Sequence, residues 1–179
     1  MNKILNPFEY LSNGKALGWG LAGSLLAIAM VAIVRWPVEC NISWIVRILS
    51  TNLLLWLPLS ALLYVAALIF SPSRIRAVDI FASNLFALLP TILVVGISNL
   101  IIMWLGGLGL DPGSFSGIMA RALYNMLVIF LSMAMVWSMV WGCFAYSVSA
   151  NMKGLRGVLI FVICYVFVSV VLQLLPEYI

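Results

Sequence analysis

Long apolar runs, each fenced by charged or turn-forming residues, dominate the pattern of this chain. The first charge-free run extends from Ala16 to Val34, between Lys15 and Arg35. The second extends from Ile48 to Phe70, between Arg47 and Ser71-Pro72-Ser73-Arg74. The third, Ile80 to Leu105, stops at Gly106-Gly107-Leu108-Gly109. The fourth follows Arg121, from Ala122 to Phe144, and the fifth runs from Gly157 to Leu175, between Arg156 and Pro176-Glu177. A helix needs roughly 20 predominantly apolar residues to cross about 30 Å of hydrocarbon, and a Lys or Arg at mid-bilayer costs about 2.5 to 3.5 kcal/mol. The pattern therefore predicts an all-α integral membrane protein. Residues 1–179 form a single transmembrane domain, a bundle of five transmembrane helices over 16–34, 48–70, 80–105, 122–144 and 157–175, behind a short leader over residues 1–15.

The first run is read as a retained span and not a cleaved signal peptide. Its apolar stretch continues past the Ala-x-Ala at Ala27 and Ala29 into Met30-Val31-Ala32-Ile33-Val34, longer than a signal core. In the leader, Ile4, Leu5, Phe8 and Leu11 share one helical face, with Lys3, Asn6 and Glu9 elsewhere. This predicts a short helix lying in the membrane interface, either a plain anchor or a docking surface for a partner or anionic lipid. The segment Trp44-Ile45-Val46-Arg47-Ile48-Leu49 offers a similar choice between an interfacial turn and the tilted start of the second helix.

Basic residues orient the bundle. With the N-terminus cytoplasmic, one side holds Lys3, Lys15, Arg74, Arg76, Lys153 and Arg156, and the other Arg35, Arg47 and Arg121. Six against three favours N-in and C-out, with the C-terminus extracytoplasmic. Trp36, Trp44, Trp104, Tyr124 and Tyr178 then fall near the outer interface and Tyr10, Trp19, Trp141 and Tyr146 near the inner one. Lys15, Arg74, Arg76, Arg121, Lys153 and Arg156 are the candidates for lipid-headgroup contacts.

Composition agrees with the pattern. Of 179 residues, 65% are hydrophobic and 8% charged, and the mean hydropathy is +1.21. Too few charges remain to cover the surface of a soluble particle. The formal net charge of +4 comes from basic residues scattered singly between apolar runs, so nucleic acid is not an expected partner. The chain has 3 cysteines and no histidine, which leaves no readable disulfide framework and removes the commonest general base and metal ligand together.

The runs carry three further features. Gly14, Gly18 and Ala22, with Gly20, Ser24 and Ile28 alongside, place small residues on the first span, where they permit close helix packing within the bundle or a seam between two copies of the chain. Pro58 and Pro90 interrupt the second and third runs, each removing a backbone donor and bending its helix. Paired breaks of this kind occur at transport sites, but here no intramembrane charge accompanies them. Polar residues inside the runs include Asn84, Thr91, Ser98 and Asn99 in the third, Asn125, Ser132 and Ser138 in the fourth and Ser169 in the fifth. Interhelical hydrogen bonding is the simpler reading of them all. The sharper one is a polar seam of Asn84, Thr91, Asn99, Asn125 and Ser132 between the third and fourth helices, lining a cavity for a solute or lipid headgroup. No Ser-His-Asp set, paired carboxylates, H-E-x-x-H or phosphate loop is present. The sequence thus predicts neither an enzyme nor a cofactor.

The leader Asn6-Pro7-Phe8-Glu9-Tyr10, the third-run segment Phe86-Ala87-Leu88-Leu89-Pro90, and Ser149-Ala150-Asn151-Met152-Lys153-Gly154-Leu155-Arg156-Gly157 before the last run resemble the YIP family of Ypt/Rab-interacting membrane proteins, in its bacterial branch. Pro90, Asn151, Lys153 and Gly154 are the family-like positions. The resemblance implies an all-helical five-span fold. Eukaryotic members associate with prenylated Rab GTPases and carry a D-L-Y-G-P motif after a long cytosolic N-terminal region; this sequence shows neither, so that function is not carried over. The expectation is a non-enzymatic multi-pass membrane protein acting as adaptor or organiser through membrane lipids, a membrane-protein partner or a second copy of itself. The alternative is a small-solute or lipid transporter using the polar residues of the third and fourth spans.

Overall fold

The computed structural model describes residues 7–9, 12–35, 42–71, 73–107, 118–152 and 154–174. Among these residues, a 3-10 turn, Pro7–Glu9, is followed by six α-helices: α1 Asn13–Arg35, α2 Ile42–Phe70, α3 Ala77–Ala87, α4 Leu89–Gly107, α5 Ile118–Ser149 and α6 Leu155–Gln173. Among the described residues there are no strands. Three helical segments among the described residues are long and apolar enough to cross a membrane: Ala77–Ile102, Arg121–Ser149 and Leu155–Leu172. Gly14–Met30 and Trp56–Phe70 are shorter apolar helices by the same measure.

Most helix ends lie within a few residues of the charge fences, but Arg47, the expected fence before the second span, lies inside α2. Trp44 to Leu49 lies inside α2, which starts at Ile42, so this segment is the beginning of the second helix and not a separate turn. α2 continues through Pro58. The third run behaves otherwise and divides at Leu88 into α3 and α4. Pro90 has no N–H to donate to Phe86 and its ring crowds the preceding turn. Leu88 turns there with φ −80° and ψ −12°, its N–H shared between the carbonyls of Asn84 at 3.2 Å and Leu85 at 3.3 Å.

Close approaches fix the relative directions of the helices. Gly20 lies against Leu85, Gly23 against Leu89, and Gly96 against Ala27 and Met30, so α1 runs parallel to α3 and α4. Ser149 meets Ser83 and Ser138 meets Thr91, so α5 runs antiparallel to them. Gly157 against Ser147 and Gly142 against Phe161 make α5 and α6 an antiparallel hairpin. α3 sits amid α1, α2 and α5, and α2 also packs on α6. The main core joins Leu59, Leu63 and Ala67 of α2, Ile80 of α3, Tyr146 of α5 and Phe161, Cys164 and Val168 of α6.

Two expectations change in this arrangement. In α1 the packing face is Ala16, Gly20, Gly23 and Ala27, while Gly14 and Gly18 face open space and Ala22 is exposed. Small side chains on the packing face therefore serve contacts within the chain. In the leader, Phe8 is 7% exposed and packs with Ala87, Ala145, Phe86, Trp141 and Phe144, so its ring is held by protein and not by the interface. Ile4, Leu5 and Leu11 lie outside the described residues.

Candidate functional site

The polar residues of α3 and α4 form three separate contacts along the bundle. At one end, Ser83 Oγ lies 2.8 Å from Ser149 Oγ and donates to Asp79 O at 2.7 Å. Ser149 Oγ reaches the same Asp79 carbonyl at 3.3 Å. At the next residue, on a different face of α3, Asn84 Nδ2 donates to Ser60 Oγ of α2 at 2.7 Å, with both residues buried. Trp56 Nε1 adds a bond to Phe81 O at 3.0 Å on the same pair of helices. Beyond the break, Thr91 donates twice to Ser138 Oγ of α5, from its backbone N at 3.2 Å and from Oγ1 at 2.9 Å, and Oγ1 lies 3.3 Å from Ala134 O.

The positions of these groups follow from helical periodicity. Ala134, Ser138, Trp141, Ala145 and Ser149 recur every three or four residues and make the α5 stripe that faces α3 and α4. Small and hydroxylated side chains on this stripe bring the backbones close enough for serine to reach a main-chain group.

The proposed seam residues therefore have distinct settings. Asn84 points to α2, and Thr91 bonds across the α4–α5 interface. Asn99 Nδ2 donates back to Val95 O at 2.9 Å, and Ser132 Oγ to Val128 O at 2.8 Å, each within its own helix. Asn125 is exposed. Ser60, Ser83 and Ser149 complete the contacts, and of these Ser60 and Ser83 fall outside the residues read from the sequence; a serine amid the apolar run of α2, two residues past Pro58, is the available signal for Ser60.

The basic residues separate by end. Ser71 Oγ donates to Ala150 O at 2.7 Å, tying the α2–α3 connection to the α5–α6 connection. Arg74 and Arg76, both exposed, belong to the first of these connections, exposed Arg156 lies in the first turn of α6, and exposed Lys15 lies in the first turn of α1 at the same end. Arg121 opens α5, and from there to Ser149 is roughly 42 Å of helix at 1.5 Å per residue, so it stands at the opposite end. Asp79 occupies the first turn of α3, where a carboxylate meets the positive end of the helix dipole. Lys153 lies outside the described residues.

The α5–α6 connection has a specific backbone. Asn151 adopts φ 49°, a left-handed setting that asparagine tolerates better than most residues. Gly154 has φ 75° and ψ −151°, a region essentially reserved for glycine. Met152 N donates to Ser147 O at 2.9 Å and its side chain enters the main core. Together with Pro90 at the helix break, these residues have local geometric reasons for their identity.

Few reactive groups are gathered. Cys143 is half-buried and Cys164 buried, both as free thiols, while Cys40 lies outside the described residues. Among the described residues, no group of three or more His, Cys, Asp and Glu side chains is placed to hold a metal ion. The Tyr146 ring is 2% exposed, and its hydroxyl has no hydrogen-bond partner. No protein family, curated protein or solved structure matches this chain. The class defined by its own architecture is an all-helical protein with helices compatible with a membrane location.

Proposed function

We propose that this is a five-span protein of the bacterial inner membrane, of YIP type, with the N-terminus cytoplasmic and the C-terminus outside. It works without enzymatic chemistry, as an adaptor or organiser of other membrane components. The observation that carries this reading is the disposition of apolar surface. α5 exposes Met126, Ile129, Phe130, Met133 and Val136, and α6 exposes Leu159, Ile163 and Phe167. Asn84, Ser83 and Thr91 meanwhile turn inward to partners on neighbouring helices. Outward faces of this length suit acyl chains and the helix of another membrane protein, and the basic end, with Lys15, Arg74, Arg76 and Arg156, suits anionic headgroups.

Affinity purification from membranes in mild detergent, with mass spectrometry of what accompanies the chain, tests this. A reproducible protein partner or retained anionic phospholipid is the expected result. Repeated recovery of a monomer with neither would contradict the proposal.

A further inference from the structure

The leader reaches the bundle where the third apolar run breaks. Phe8 meets Phe86 edge-on, with ring centroids 5.6 Å apart and planes at 89°, and meets Trp141 edge-on at 6.3 Å and 90°. Phe86 and Trp141 are themselves stacked at 5.3 Å and 9°. Phe86 and Ala87 are the last residues of α3, immediately before the turn at Leu88. On the other side of that turn, Ser138, three residues from Trp141 on the same α5 stripe, holds the backbone N–H of Thr91. The junction is thus gripped by α5 from both sides, and one of the grips includes a side chain from a segment outside the helical bundle.

We propose that Phe8 is a wedge whose seating sets the angle between α3 and α4. Three rings share one contact, so withdrawal of Phe8 leaves a space beside Phe86 and Trp141 that they fill by moving, and α3 carries Phe86 directly into the turn. α4 has no N–H at Pro90 to resist the change, and its next donor, at Thr91, is held by a serine hydroxyl instead of a regular helical turn. Displacement of the leader is therefore transmitted to the far half of α4.

Electron paramagnetic resonance on spin-labelled protein in lipid nanodiscs tests this, with Cys40, Cys143 and Cys164 replaced by serine or alanine. Labels at Ile97→Cys and Val148→Cys, both exposed in the parent chain, span the junction from α4 to the end of α5. A second pair at Val78→Cys and Leu155→Cys, also exposed, does not span it. Phe8→Ala is expected to shift and broaden the first distance and leave the second unchanged, with Phe8→Leu intermediate. Should Phe8→Ala not yield monodisperse protein, Phe8→Leu carries the test by its own shift. An unchanged first distance, or equal broadening of both pairs, would overturn the proposal.

Discussion

The hydroxyl of Ser138 accepts the backbone N–H of Thr91 across the α4–α5 interface at 3.2 Å, and the side chain of Thr91 donates to the same oxygen at 2.9 Å. Proline at position 90 breaks the regular ladder, and the neighbouring helix supplies an acceptor at the first residue after it. Prolines inside membrane helices are tolerated where neighbouring side chains satisfy the backbone in this way. Ser138→Ala is therefore expected to destabilise the protein by about 1 to 2 kcal/mol, more than a typical interhelical side-chain bond, because a part-buried main-chain donor loses its acceptor. Thermal unfolding in detergent, compared with Ser132→Ala as an exposed control, checks it.

Asn84 and Ser60 provide a second, independent measure of interhelical bonding. A double-mutant cycle with Asn84→Ala and Ser60→Ala is expected to give a coupling of about 0.6 to 1.7 kcal/mol, the range of such bonds in lipid. Strict additivity of the two single substitutions would mean that the contact contributes nothing.

Gly142 is occupied by glycine because α5 and α6 approach closely there. A Cβ at this position would overlap the buried Phe161 ring. Gly142→Ala is expected to cost about 1 to 3 kcal/mol through overpacking, and Phe161→Leu in the same chain should recover part of the loss. A double variant less stable than either single one would contradict this geometry.

The turn between α5 and α6 can be tested through its backbone alone. Gly154→Ala places a Cβ on a residue at φ 75° and ψ −151° and is expected to cost about 1 to 3 kcal/mol, although nothing lies within 4 Å of the new atom. Asn151→Gly, at φ 49°, should be close to neutral. Unfolding midpoints of the two variants, measured side by side, distinguish backbone strain from lost contacts.

Much of the helix layout was legible in the sequence because charge is costly in hydrocarbon: Lys15, Arg35, Arg74, Arg121 and Arg156 lie at or near helix ends in the structure. Pro90 likewise announced a bend, and its consequence is a complete division into α3 and α4 at Leu88. Pairing was not legible. Asn84 and Thr91 lie seven residues apart and share a helical face in a straight helix, yet they contact α2 and α5 respectively, because the turn between them and the surrounding helices set the facing directions. The leader shows the same limit. Periodicity grouped Phe8 with Ile4, Leu5 and Leu11 on an apolar face, but the slot that receives its ring is built by Phe86 and Trp141, residues far away in the chain.

The proposed five-span, N-in arrangement puts Lys15, Arg74, Arg76 and Arg156 at the cytoplasmic end and Arg121 at the opposite one. A reporter enzyme active only outside the cytoplasm, fused after Ile179, reads the side of the membrane on which the chain ends. A full-length fusion with high activity is expected; full-length fusion protein at normal abundance but without activity would contradict this topology.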